Sequence, residues 1–376
     1  MPPVPRNLES AFVAPRNAVE FQLTKIWEEV LETQPIGVRD NFFDELGGHS
    51  MLAVRLFRRI EKRFGKALPL ATLFQAPTIE QLANFLYQEG ELAPWSSLVA
   101  IQPNGDKPPF FCVHGAGGGV FTYYNLARYL NSEQPVYGLQ AQAFAGKQVP
   151  HTKVEDMAAH YIREILTVQP EGPYFLGGYS FGGIVTFEMA QQLHAQGQKV
   201  ALLALFDAYG PQYFSSLPLH GRVFRYLDTL LRLGPKENLT YLQEKIKIKL
   251  TYLQEKIKIN WVFQKPTYKF YSGNRSSLPP VSHQYKLLCM VHQQAARNYL
   301  PAQVYSGRAI LFRGSEYLAL EWWVDPDDSQ LGWSRLVNGG LELQETPGHH
   351  FNMFSEPYVQ VLAEKLQVYL EQAQAD

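Results

Sequence analysis

The run Gly178-Tyr179-Ser180-Phe181-Gly182 constrains this chain more than any other stretch. The apolar residues Tyr174-Phe175-Leu176-Gly177 before it predict a buried strand, and Gly183-Ile184-Val185-Thr186-Phe187-Glu188-Met189-Ala190 after it predicts a helix. A serine in G-x-S-x-G between strand and helix sits in a sharp, strained turn that lifts its hydroxyl above a sheet. Both glycines are needed because strand and helix then pass too close for a Cβ at Gly178 or Gly182. Glycine and serine also mark ordinary turns, so the competing reading is a plain strand-to-helix connection.

The surrounding pattern favours the strained turn. Strand candidates, most of them apolar runs, at Pro109–Val113, Pro135–Leu139, Tyr174–Gly178, Val200–Phe206, Arg308–Arg313 and Leu341–Glu345 alternate with helical periodicity. Such alternation predicts a mostly parallel sheet covered by helices on both faces. Thr152-Lys153-Val154-Glu155 fits a capping box, and Val154, Met157, Ala158, Tyr161, Ile162 and Ile165 continue it as one stripe. A last helix is read from Tyr358, Val361, Leu362, Leu366 and Tyr369.

Directly after the first of these strands comes His114-Gly115-Ala116-Gly117-Gly118-Gly119. It lacks the lysine of a P-loop, and G-x-G-x-x-G does not fit it. In a chain with a nucleophile elbow it reads as the oxyanion loop of an α/β-hydrolase, with the N–H groups of Ala116 and Phe181 facing the developing charge. Gly348-His349-His350-Phe351 falls between the last strand and the last helix, where that fold carries its general base.

The first ninety residues read differently. Residues 1–16 are proline-rich without periodicity and read as linker. From Ala18 onward, Val19, Leu23, Ile26, Trp27, Val30 and Leu31 give one helical face that ends before Gln34-Pro35. Leu52, Leu56, Ile60 and Phe64 outline a second helix, with Gly65 as its stop. A short turn near Ala71–Phe74 follows, and Thr78-Ile79-Glu80-Gln81 opens a last helix as a capping box. At the start of the second helix stands Gly47-Gly48-His49-Ser50, where Ser50 is either a plain N-cap or a modified residue.

That loop, with Asn41-Phe42-Phe43 before it, Met51-Leu52 after it, Ile36-Gly37-Val38 and Phe74-Gln75-Ala76-Pro77-Thr78, resembles the peptidyl carrier domains of nonribosomal peptide synthetases. The resemblance implies 4′-phosphopantetheine on Ser50, added by a separate phosphopantetheinyl transferase. The helix N-terminus would favour its phosphate. Asp44-Glu45 supplies two residues where the usual spacing has one.

Phe111-Cys112-Val113-His114-Gly115, the elbow, Leu205-Phe206-Asp207 and Pro347-Gly348-His349-His350 together resemble the type I thioesterase domains that end nonribosomal peptide synthetase and polyketide synthase lines. In that pattern one variable residue separates glycine from the catalytic histidine, which selects His350 over His349. The same resemblance places the acid at Asp207, which also ends an apolar strand. Glu316, Asp325 and Asp327, after a later strand, are where most α/β-hydrolases would carry it.

The expected architecture is therefore a small all-α four-helix carrier bundle followed by an α/β-hydrolase domain with a helical lid insertion. Residues 17–90 form the carrier, 91–97 a linker and 98–376 the hydrolase, with the lid across 211–282. Within the lid, Leu239–Ile248 recurs at Leu250–Ile259, a period that keeps one helical face. The implied activity is transfer of a peptidyl or acyl group from the carrier arm to Ser180, then release by hydrolysis or macrocyclisation. Upstream synthetase domains are the implied partners, and residues 1–16 resemble an interdomain tether of an excised C-terminal piece. The alternatives are a proofreading thioester hydrolase and a carrier module with an inactive hydrolase-like half.

The whole composition agrees with this. A chain of 376 residues suggests two domains, and a net charge of −1 gives no nucleic-acid footprint. No signal peptide or membrane span is visible. The two cysteines, Cys112 and Cys289, lie in apolar runs and read as buried small hydrophobes, without metal spacing, in a reduced cytoplasmic setting.

Overall fold

Strand residues alternate between two cores, and that alternation fixes the layers. The computed structural model describes residues 12–87, 95–144, 148–211, 213, 281–316 and 328–375. Among them, seven strands form one sheet in the order β1-β3-β2-β4-β5-β6-β7. These are β1 (Leu98–Gln102), β2 (Phe110–Val113), β3 (Val136–Leu139), β4 (Tyr174–Tyr179), β5 (Val200–Phe206), β6 (Ala309–Gly314) and β7 (Leu341–Thr346). Phe111, Val113, Leu176, Leu203, Leu205 and Leu311 enter one core, shared with helices α6 (Val154–Leu166), α7 (Phe181–Ala195) and α8 (Val281–Asn298). Their neighbours Phe110, Cys112, Phe175, Ala204, Phe206 and Phe312 enter the other, beneath α5 (Tyr123–Tyr129) and α9 (Tyr358–Ala375). Successive side chains on a strand point to opposite faces, so both faces must be covered.

Every neighbouring pair from β3 to β7 is parallel; only β1 against β3 is antiparallel. Leu98–Gln102, at the start of the expected hydrolase, is not among the strands read from sequence, and it forms this edge strand. Its burial alternates intermediate and buried over five residues, the mark of a half-covered edge. A second difference concerns α6, whose N-cap is Lys153 and not Thr152, without a side-chain cap bond. Val154 is fully buried and sets the start by packing, while Glu155 and Asp156 in the first turn still complement the helix dipole.

The N-terminal helices are α1 (Ala18–Leu31), α2 (Ser50–Phe64), α3 (Thr72–Gln75) and α4 (Ile79–Tyr87). Their core is built on Leu23, Trp27, Phe42, Leu56, Ile60, Ile79 and Leu82, all fully buried. The Asn17 side chain accepts from the Glu20 N–H and caps α1, a contact worth about 1 kcal/mol. At α4 the box is reciprocal: Gln81 N–H donates to Thr78 Oγ1 at 3.2 Å, and Thr78 N–H to Gln81 Oε1 at 3.2 Å.

The bundle meets the sheet half through rings. Phe43 stacks on Tyr124 with centroids 4.1 Å apart, and Phe74 stacks on Phe121 at 4.9 Å. Beside them, Arg128 Nη1 donates to Asp44 Oδ1 at 2.6 Å. The bundle core continues into Phe121, Ala141, Ala143, Phe144 and Leu288.

The expected lid with its duplicated segment falls almost wholly outside the described residues, as do Asp325, Asp327 and linker residues 91–94. Among the described residues, no helix is long and apolar enough to cross a membrane, and no group of three or more His, Cys, Asp or Glu is placed to hold a metal ion.

Candidate active site

The sheet register brings the site together. Tyr179, Phe206 and Phe312 are paired across β4, β5 and β6, so Ser180 and Asp207 follow at adjacent strand ends. Neighbouring strands lie about 4.8 Å apart. The ladder continues one residue beyond each strand: Ser180 N–H donates to Phe206 O at 2.9 Å, and Asp207 N–H to Phe312 O at 2.7 Å.

Ser180 has φ 56° and ψ −119°, a conformation that costs a non-glycine residue about 1–3 kcal/mol. The surroundings hold it there. A Cβ on Gly178 would meet Gly182 O at 2.3 Å, and one on Gly182 would meet Val113 O at 2.4 Å, so strand, turn and helix are locked at glycine distance. From below, the buried Tyr123 hydroxyl donates to Val113 O and accepts from Tyr179 N–H at 3.0 Å.

Asp207 is buried and also left-handed, with φ 42°. Its Oδ1 accepts from Gly314 N–H at 3.1 Å, and its Oδ2 lies 2.7 Å from His350 Nδ1. The His350 ring packs against Tyr179, the residue before Ser180, at 5.0 Å between centroids. His349 is engaged locally: its N–H donates to Asn352 Oδ1 at 2.6 Å, and its Nδ1 accepts from Phe351 N–H at 3.2 Å. Glu316 lies exposed just past β6.

The glycine-rich loop is tied from behind by two buried histidines. His114 Nδ1 sits 2.6 Å from Gly115 O, and its Nε2 2.7 Å from the Tyr161 hydroxyl. His292, on α8, has Nδ1 2.7 Å from Ala116 O and stacks on Phe181. Sequence reasoning missed His292. The available signal was its place beside the stripe Leu288, Val291, Ala295 and Tyr299, which made it a polar residue on a core-facing surface.

Residues 22–86 match the family described as the phosphopantetheine attachment site, and residues 108–255 match the thioesterase domain. The chain is a carrier domain followed by a thioesterase domain of the nonribosomal peptide synthetase type. Over 58% of its length it is 42% identical to a dimodular nonribosomal peptide synthase of Bacillus subtilis, of which it covers 9%. Chondramide synthase cmdD of Chondromyces crocatus is 29% identical over 97% of this chain, which again covers 9% of that protein. A crystal structure of a four-domain nonribosomal peptide synthetase bound to AMP and glycine matches 97% of this chain with a TM-score of 0.55 and 25% identity, and 27% of that chain is covered. The chain thus spans a small part of the length of these synthetases.

A carrier domain of this family holds 4′-phosphopantetheine covalently. The start of α2 suits a phosphate. The N-cap is His49, in extended conformation, so Ser50 is the first helical residue and the plain N-cap reading of Ser50 does not apply. No carboxylate stands in the first turn of this 15-residue helix. The N–H groups and dipole of that helix end therefore meet no carboxylate from its own first turn. The preceding loop is pinned to the carrier core: Gly48 N–H donates to Phe42 O at 2.7 Å, and a Cβ on Gly48 would strike the Phe42 ring at 2.2 Å.

Proposed function

We propose that this chain releases peptidyl or acyl groups from its own carrier domain, with Ser180 as nucleophile, His350 as base and Asp207 as orienting acid. The observation that carries the reading is the Asp207–His350 hydrogen bond of 2.7 Å beside a serine held in a strained elbow. The arm on Ser50, when bound, supplies a thiol that carries the acyl group as a thioester. Ser180 Oγ attacks the thioester carbonyl while His350 Nε2 takes its proton, and Asp207 stabilises the imidazolium through Nδ1. The N–H groups of Ala116 and Phe181 support the oxyanion; losing one such donor typically costs ~10²–10³ in rate. His350 returns the proton to the departing sulfur, leaving an ester on Ser180. Water activated by His350 cleaves that ester to a free acid, or a nucleophile within the acyl chain closes it to a ring.

A phosphopantetheinyl transferase and upstream synthetase domains are the partners this reading requires. Cys112 and Cys289 are both free, which fits the reducing cytoplasm we assign. Intact-protein mass after treatment with a serine-reactive fluorophosphonate tests the nucleophile. Wild type should gain one adduct and Ser180→Ala none; an adduct on Ser180→Ala would sink the assignment.

The ring-lined seam between the halves gives a second test. Arg128→Glu sets like charges against Asp44, and single-turnover release from the protein's own loaded carrier should slow about two- to fivefold, the scale of an exposed ion pair. Hydrolysis of a small soluble thioester should stay unchanged, and adding Asp44→Lys should restore the slower reaction. Equal slowing of both reactions would remove the seam from carrier delivery.

A further inference from the structure

We propose that His292 is a positioning residue for the oxyanion loop, holding Ala116 and Phe181 in place through one imidazole. This rests on the catalytic reading above, in which those two residues supply the oxyanion donors.

The argument begins with protons. Ala116 O accepts only, so the 2.7 Å contact requires the proton on His292 Nδ1. Burial pushes the His292 ring down to about 4 and the neighbouring His114 ring down to about 3, so both are neutral near pH 7. Neutral rings with the proton on Nδ1 suit both: His114 Nδ1–H donates to Gly115 O, and its Nε2 accepts from the Tyr161 hydroxyl.

These two bonds fall on successive peptides. Gly115 O and Ala116 N–H belong to one planar unit and point opposite ways, and Ala116 O and Gly117 N–H belong to the next. His114, helped by Gly118 N–H at 2.9 Å, fixes the first plane; His292 fixes the second. Ala116 lies between them, and its φ and ψ are the only soft rotations joining the planes. With both planes tied, the direction of the Ala116 N–H is set.

The other donor is tied by the same ring. Phe181 is the first residue of α7, so its N–H belongs to the helix end that has no intrahelical partner. Its side chain stacks on His292 with centroids 4.9 Å apart and planes 7° from parallel. His114 flanks the same imidazole at 4.9 Å. His292 comes from α8, whereas Ala116 follows β2 and Phe181 follows β4. One side chain therefore joins three segments that meet only in the folded sheet.

A histidine that merely fills space would be replaced by any ring of its size, and this difference decides the test. In the full chain, His292→Phe keeps a ring against Phe181 and removes the donor. His292→Asn puts an amide nitrogen at the Nδ1 position, and His292→Gln moves it to the Nε2 position. With a small soluble thioester, His292→Phe should lower kcat ~10–10²-fold with KM within about twofold. His292→Asn should recover most of that loss and His292→Gln little. A His292→Phe turnover within about twofold of wild type overturns the proposal. Equal losses in the Asn and Gln variants also overturn it, because that pattern follows packing and not the donor. If His292→Phe does not fold, the Asn and Gln comparison decides by the same rule. Ser180→Ala is assayed alongside. If it retains turnover, the catalytic reading itself is wrong; if it is inert while His292→Phe is unaffected, only the clamp is wrong.

Discussion

Asp207→Asn should give a folded protein whose turnover is lower by ~10⁴, the scale on which triad aspartates act. The geometry says why so isosteric a change costs so much. Oδ1 of Asp207 is held by the Gly314 N–H, which needs an acceptor. In the asparagine variant the amide oxygen stays on Gly314, so the amide nitrogen takes the Oδ2 position facing His350 Nδ1. A donor there forces Nδ1 to accept and leaves the proton on Nε2, which then cannot take the Ser180 proton. Steady-state hydrolysis of a soluble thioester, with circular dichroism as the fold check, measures this. Glu316→Gln should stay within about twofold of wild type, as expected of an exposed side chain away from such features. Survival of turnover in Asp207→Asn together with collapse in Glu316→Gln would move the acid to the end of β6.

Ser50→Ala should abolish loading altogether. Treated with a phosphopantetheinyl transferase and coenzyme A, wild type should gain one arm by intact mass, and the variant none. Self-release then falls to zero because no acyl group can be attached, whereas hydrolysis of a soluble thioester should persist within about twofold, since Ser180 is untouched. An unchanged mass gain in Ser50→Ala would place the attachment elsewhere. Loss of soluble-thioester turnover as well would mean that the carrier supports the thioesterase structurally.

What the sequence revealed about the fold lay in short-range signals. Six of the seven strands were legible as candidates, five as apolar runs and β7 as the mixed segment Leu341–Glu345, and the elbow, the glycine-rich loop and the His349-His350 pair each follow a strand end. β1 was not read although residues 98–101 are apolar, because it follows the irregular stretch ending at Ser97 directly and its edge position, paired antiparallel with β3, shows only in the sheet. The cap at Lys153 was hidden because packing of Val154 overrode the Thr152 signal. Other features depend on distant segments meeting. His292 and Ala116 are 176 residues apart, and no local pattern encodes a helix crossing that loop. Tyr124 and Asp44 are 80 residues apart, so the seam beside Phe43 appears only when the bundle rests on α5. Asp207 was preferred to Glu316 on its place directly after the apolar strand Val200–Phe206 and on the resemblance; the burial that separates the two carboxylates appears only in the fold.

The seam between bundle and sheet has a kinetic meaning. Beyond the apolar area the seam buries, its exposed ion pair contributes no more than ~1 kcal/mol, and each ring pair about 0.5–1.5 kcal/mol. Between separate proteins, occupancy of such a seam would fall with dilution. Within one polypeptide, a short connection holds the local concentration in the ~mM range, so weak contact is enough for frequent occupancy. Weakness also shortens each visit, because differences in affinity between related contacts reside mainly in the rate of leaving. A carrier that must hand over one acyl group and return for the next is served by brief, repeated dwell rather than by tight association.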